Sequence, residues 1–154
     1  MAQEQTGGTG TGDRSVSMTR LEKGLYEFTN VRGGTMRVGG GGDTPDFTPV
    51  ELLLVAIAGC SGTDVDFITS KRAEPLTFDV TAQGEKIRDE QGTNRMRDLR
   101  VRFSVTFPEG EAGDRAREML PKAIQMSEER LCTVSRTVAL GTPIDAAVAD
   151  ETQP

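Results

Sequence analysis

Apolar and polar positions alternate with a period of two in two stretches, Thr77–Ile87 and Leu99–Phe107. In the first, Phe78, Val80 and Ala82 share a face. In the second, Leu99, Val101, Phe103, Val105 and Phe107 do, with Arg100 and Arg102 opposite, so the pattern predicts two half-buried strands. The link Arg88–Asp98 is charged and contains glycine, which predicts a long exposed hairpin. From Val50 to Ala58 the pattern changes, and every residue except Glu51 is apolar. Thr48 is a good N-cap, Pro49 fits the first helical position and Glu51 falls three residues after the cap, so a helix starts here. We extend it to about Lys71-Arg72, before Pro75. A helix apolar on nearly all sides must be surrounded by protein. Asp64, Asp66, Thr69, Ser70, Lys71 and Arg72 mark its far end as emerging from the core.

Ser15–Leu21, Leu25–Thr29 and Thr35–Val38 read as three short strands, and the Gly-rich run Gly39–Asp46 as a loop. A second helical region is expected from about Asp114 to Leu140, with a kink or restart at Pro121 and a stop at Gly141-Thr142-Pro143. Ile144–Val148 reads as a last strand. The order βββ-α-ββ-α-β segregates strands from helices, which gives an α+β fold with mainly antiparallel sheet. Residues 1–14 carry no bulky apolar side chain after Met1 and read as a flexible tail, leaving residues 15–150 as a single domain.

The chain has 154 residues, enough for one hydrophobic core. Its net charge of −6 argues against a nucleic-acid partner, because no basic excess exists to neutralise phosphates. No apolar run approaches the ~20 residues of a membrane helix, and the start lacks the pattern of a signal peptide. The expectation is a cytoplasmic protein with no membrane partner.

Two cysteines, Cys60 and Cys132, stand in a chain without histidine. Histidine-based triads, Cys-His dyads and histidine-ligated zinc are therefore excluded. If either sulfur reacts, another group must stabilise its thiolate, and arginine is the obvious supply. A cysteine in an apolar helix is more often a small hydrophobe. Cys60 lies about twelve residues past the N-cap, too far for the helix dipole to lower its pKa. Asp64, one turn on, opposes a thiolate if it is close and unpaired. Against the inert reading, Gly59 and Gly62 bracket Cys60, which suggests close backbone packing or ligand access at the sulfur.

The run Thr48-Pro49-Val50-Glu51-Leu52-Leu53-Leu54-Val55-Ala56-Ile57-Ala58-Gly59-Cys60-Ser61-Gly62-Thr63-Asp64-Val65 resembles the central helix of the OsmC/Ohr family of peroxide-reducing proteins. Met126-Ser127-Glu128-Glu129-Arg130-Leu131-Cys132-Thr133-Val134 resembles that family's second cysteine element. The resemblance covers residues 16–150. Gly59-Cys60-Ser61-Gly62-Thr63-Asp64-Val65 and the following Lys71-Arg72 look closer to a less-characterised OsmC-like branch than to the well-studied peroxidases.

The resemblance implies an intertwined homodimer with an antiparallel sheet wrapped around long central helices. It also implies reduction of small hydrophobic organic hydroperoxides. Cys60 would be the peroxidatic thiol and Cys132 the resolving thiol, with recycling by an external dithiol reductant, lipoyl groups serving this purpose in relatives. No bound cofactor is implied. An arginine and the helix-start Glu51 would assist. Arg37, just before the Gly-rich loop, is the candidate, and Arg20 in the first hairpin is the alternative. Nine residues separate Glu51 from Cys60, so they point to opposite faces of one helix, ~13 Å apart along it. Glu51 would then serve the Cys60 of a partner subunit. Two other functions stay open: an OsmC-fold protein that binds a small ligand without catalysis, and a redox sensor.

Overall fold

A computed structural model describes residues 10–149. The expected tail over residues 1–14 lies mostly outside them. The chain forms two compact units, one up to Leu53 and one from Leu54 on.

The first unit is an antiparallel meander of β1 (Val16–Glu22), β2 (Leu25–Asn30) and β3 (Thr35–Gly39), in the order β1-β2-β3. Strand bounds agree with the sequence pattern to within a residue or two. Val38 is fully buried here, and beyond the glycine loop Phe47 returns beside it, its carbonyl accepting from the Gly39 N–H at 3.0 Å. The long helix α1 (Pro49–Thr69) begins next. Its start is a reciprocal capping box: the Thr48 N–H donates to Glu51 Oε2 at 2.7 Å, and the Glu51 N–H donates to Thr48 Oγ1 at 3.4 Å.

In the second unit, β4 (Thr77–Arg88) and β5 (Asn94–Thr106) pair antiparallel. Phe78 faces Val105, Val80 faces Phe103 and Ala82 faces Val101, which makes the half-buried side anticipated from the alternation. Gly62 of α1 packs towards Val80 and Phe78. The ladder is longer than the alternation suggested, because β5 starts at Asn94 where an exposed link was expected. Beyond the apolar pairs the ribbon is held by backbone bonds and by the Arg97–Glu85 ion pair at 2.8 Å, which hydrophobic alternation does not register. Only the five residues 89–93 form the turn, with Asp89 Oδ1 accepting from the N–H groups of Gln91 and Thr93 at 3.1 and 2.8 Å. A register shift lies between Gln83 and Glu85; a Cβ at Gly84 would stand 2.7 Å from Leu99 Cδ2 and 3.2 Å from the Arg97 carbonyl oxygen, so the bulge is tightly packed around this glycine.

The second helical region is three segments: α2 (Glu111–Met126), a π turn (Ser127–Leu131) and α3 (Thr133–Leu140). Pro121 does not break it. Pro121 lies on the exposed side of α2, and the buried Ala116 and Ala123 on either side keep the two halves packed. The break falls at Cys132, whose backbone is extended at φ −70° and ψ 100°. Ile144–Val148 forms no strand; Ile144 and Val148 are 92% and 94% exposed, with no strand paired to them among the described residues.

The expectation for α1 also needs correcting. Its 21 residues include an 18-residue window of mean hydropathy 1.5, long and apolar enough to cross a bilayer by length and composition. Glycines and interspersed polar residues from Gly59 to Asp66 interrupt its apolar run. Only 28% of its most apolar window is buried, and Val55 and Phe67 stay 46% and 66% exposed.

Candidate thiol site

Cys60 and Cys132 meet inside the second unit. Their sulfurs and a carboxylate oxygen of Asp64 all lie within 4.8 Å of one another. Both cysteines are free thiols; Cys60 is half-buried, whereas Cys132 has no exposed surface.

Local geometry explains the meeting. Asp64 follows Cys60 by four residues on α1, so the two share a face. On the other side, the π turn closes with the Cys132 N–H donating to the Ser127 carbonyl at 2.9 Å. The wider turn presents both Ser127 and Cys132 to α1. Ser127 Oγ donates to Asp64 Oδ2 at 2.8 Å, so this carboxylate is close to the thiols but paired. Cys132 is also the N-cap of α3, and its sulfur accepts from the Ser135 N–H at 3.3 Å. Ser61 Oγ donates to the same sulfur at 3.4 Å, and the Cys132 thiol donates to Ser135 Oγ at 3.2 Å.

The two thiols differ in acidity. Burial pushes the Cys60 thiol up; a Val134 backbone hydrogen bond works against this, while the hydrogen bond and charge of Cys132 and the charge of Asp64 add to the rise. Burial also pushes Cys132 up. There the hydroxyl of Ser135, the hydroxyl of Ser61, the Ser135 N–H and the Cys60 thiol outweigh it, and the thiol is more acidic than usual.

A cleft of about 520 Å³ adjoins this cluster. Ser61, Ser127 and Ser135, the serines that bond Cys132 and Asp64, line it beside apolar Ile57, Phe103 and Val138. Two sulfurs and one carboxylate fall short of the four ligands of a structural zinc. The two free thiols stand close to one another, within 4.8 Å.

The other expected site residues lie in the first unit. Arg37 on β3 is exposed and pairs with Asp46 at 3.6 Å. Arg20 on β1 stands opposite Tyr26. Glu51 is committed to the capping box. Gly59 leaves open space around its Cα, whereas a Cβ at Gly62 would meet Val80 Cγ2 at 3.5 Å, an ordinary contact. Access at Gly59 therefore survives as an explanation, and unusually close packing at Gly62 does not. Sequence reasoning missed Ser61, Ser127 and Ser135. One signal was available: Ser135 follows Cys132 by three residues, the interval from an N-cap to the N–H that it accepts.

A family of small α+β proteins with a cysteine on a long apolar helix is defined by this arrangement. The OsmC-like protein family model matches residues 40–147, and the chain belongs to that family. The uncharacterized protein Rv2923c of Mycobacterium tuberculosis is 30% identical over 126 residues, covering 81% of this chain and 88% of the relative. Among solved structures, a hypothetical protein from Aquifex aeolicus VF5 has a TM-score of 0.67 at 22% identity, covering 86% of this chain and 91% of the other. An OsmC-like protein of unknown function from Vibrio cholerae has a TM-score of 0.63 at 13% identity, covering 82% and 94%. The organic hydroperoxide resistance protein OhrB of Bacillus subtilis has a TM-score of 0.52 at 14% identity, covering 82% and 90%. At these identities the likeness to solved structures is one of fold.

Proposed function

We propose that the protein is a thiol-dependent peroxidase that reduces small organic hydroperoxides through Cys60 and Cys132. The observation that carries this reading is the approach of two free thiols, 72 residues apart in sequence, to within 4.8 Å beside a largely apolar cleft. Cys60, the more exposed cysteine, attacks the terminal peroxide oxygen, releases an alcohol and becomes a sulfenic acid. Cys132 displaces the sulfenic oxygen as water and closes a disulfide. An external dithiol, of which a lipoyl group is one form, reopens it by exchange.

The working form is a homodimer in the cytoplasm. The exposed apolar residues of α1, Val55 and Phe67 among them, support a second copy as their cover. In that assembly Glu51 and Arg37 of one copy serve the Cys60 of the other.

One equivalent of an organic hydroperoxide added to the reduced protein should remove both free thiols, and Cys60→Ser should abolish the loss. Turnover with a dithiol then separates an enzyme from a redox sensor. Thiols that survive excess peroxide would leave small-ligand binding as the function.

A further inference from the structure

We propose that Asp64 is a positioning residue for disulfide closure. Through Ser127 it holds the segment that carries Cys132 against α1, so that Cys132 reaches the oxidised Cys60 before a second peroxide does. This rests on the peroxidase reading and assigns a residue to its second step.

One residue links the carboxylate to the resolving thiol. Ser127 Oγ donates to Asp64 Oδ2 at 2.8 Å, and the Ser127 carbonyl accepts the Cys132 N–H at 2.9 Å, which closes the π turn. Ser127 is buried and Asp64 half-buried, so the bond between them is shielded from competing water. A hydrogen bond to a charged acceptor is also stronger than one between neutral groups. A second link runs from Ser61 Oγ to the Cys132 sulfur at 3.4 Å, but it ends on the atom that must move during closure. The Asp64–Ser127 bond involves neither sulfur, so the chemistry leaves it intact.

The two steps then draw on different groups. In the proposed dimer, Arg37 and Glu51 of the partner subunit act at Cys60 and govern its attack on peroxide. Asp64 does not aid that attack, because its charge opposes a thiolate at Cys60. It lies one turn after Cys60 on the same face of α1, so a clamp there fixes the facing segment beside the thiol.

Closure balances as follows. The Cys132 sulfur attacks the sulfur of the Cys60 sulfenic acid; the S–S bond forms, the S–O bond breaks, and the hydroxyl leaves with the Cys132 proton as water. Thiol and sulfenic acid become disulfide and water. The competing step is a second hydroperoxide, which carries the sulfenic acid to sulfinic acid and leaves as alcohol. Sulfurs that rest within 4.8 Å must close to a bond of about 2.05 Å. A misplacement of about 1 Å can cost on the order of a hundredfold in such a step.

The test is a single turnover of the reduced full chain with cumene hydroperoxide. Asp64→Ala and Ser127→Ala should each slow disulfide closure by about tenfold, the effect of one hydrogen bond to a charged group. Mass spectrometry should find more Cys60 as sulfinic acid in both, while the first attack is not slowed. A purely structural role would not separate the two steps in this way. Asp64→Asn keeps an acceptor for Ser127 and should close at nearly the parent rate. The two alanine substitutions together should be no slower than either alone. Closure at the parent rate in both alanine variants, or Asp64→Asn as slow as Asp64→Ala, overturns the proposal. A second measurement needs no peroxide. Equilibrated with glutathione, the alanine variants should form the Cys60–Cys132 disulfide with about tenfold lower effective concentration, because the loosened dithiol has more freedom to lose; equal values also overturn it. Parent thiols that survive peroxide defeat the functional reading, whereas unimpaired closure in variants that consume peroxide defeats this inference alone.

Discussion

The sulfur of Cys132 caps α3 by accepting the Ser135 N–H at 3.3 Å, so one atom is at once a structural cap and the proposed resolving thiol. The two roles separate by substitution. Cys132→Ser keeps a capping acceptor and should unfold in urea close to the parent. Cys132→Ala loses the cap and should be less stable than the serine variant by about 1 kcal/mol.

The acidities of the thiols set opposite pH dependences of stability in the reduced protein. Cys132 is lowered on folding, chiefly by its hydrogen-bond donors working against burial. Its contribution is present above the unfolded thiol pKa and is lost as pH falls through the folded value. Cys60 is raised on folding, mainly by burial. Its contribution is present below the unfolded pKa and is lost as pH rises through the folded value. Urea midpoints of Cys132→Ser should lack the parent's gain on the approach to the ordinary thiol range. Those of Cys60→Ser should lack its loss beyond that range.

Glu51 has a structural role in the capping box and a proposed catalytic one, and these can be told apart. Glu51→Gln keeps an oxygen for the Thr48 N–H and should change stability little, whereas Thr48→Ala should cost about 1 kcal/mol. If the charge of Glu51 serves a partner's arginine, Glu51→Gln lowers peroxide turnover while the thermal midpoint holds. Equal turnover would make Glu51 a cap and nothing more.

Gly113 in the first turn of α2 packs against the Pro108 carbonyl so closely that a Cβ would overlap it. Arg117 fastens the same corner, its Nη2 donating to the carbonyls of Phe107 and Pro108 at 3.1 and 2.8 Å. Gly113→Ala should therefore destabilise by about 1–3 kcal/mol in chemical unfolding, the usual cost of overpacking.

The exposed apolar residues of α1 give a test of assembly. Light scattering should find a dimer for the parent chain, and Phe67→Glu or Val55→Glu should shift it towards monomer. A monomeric parent would remove the partner from the proposed mechanism.

Local pattern alone settled much of this protein. Period-two alternation marked the β4–β5 core pairs, and Thr48, Pro49 and Glu51 marked the start of α1 to the residue, because capping and alternation act within a few neighbours. The sequence also named the two sulfurs, and it placed Cys60 well inside its helix. It misplaced the break of the second helical region, because Pro121 is a strong local signal whereas the π turn before Cys132 depends on packing against α1. The strand expected at Ile144–Val148 failed for a related reason: a strand needs a neighbour, and composition does not supply one. What only the tertiary structure decided is the environment of the thiols. Ser61 and Asp64 come from one helix and Ser127 and Ser135 from a segment more than sixty residues away. Acidity is set by which donors and charges surround a sulfur in space, so the difference between Cys60 and Cys132 exists only once the chain has folded.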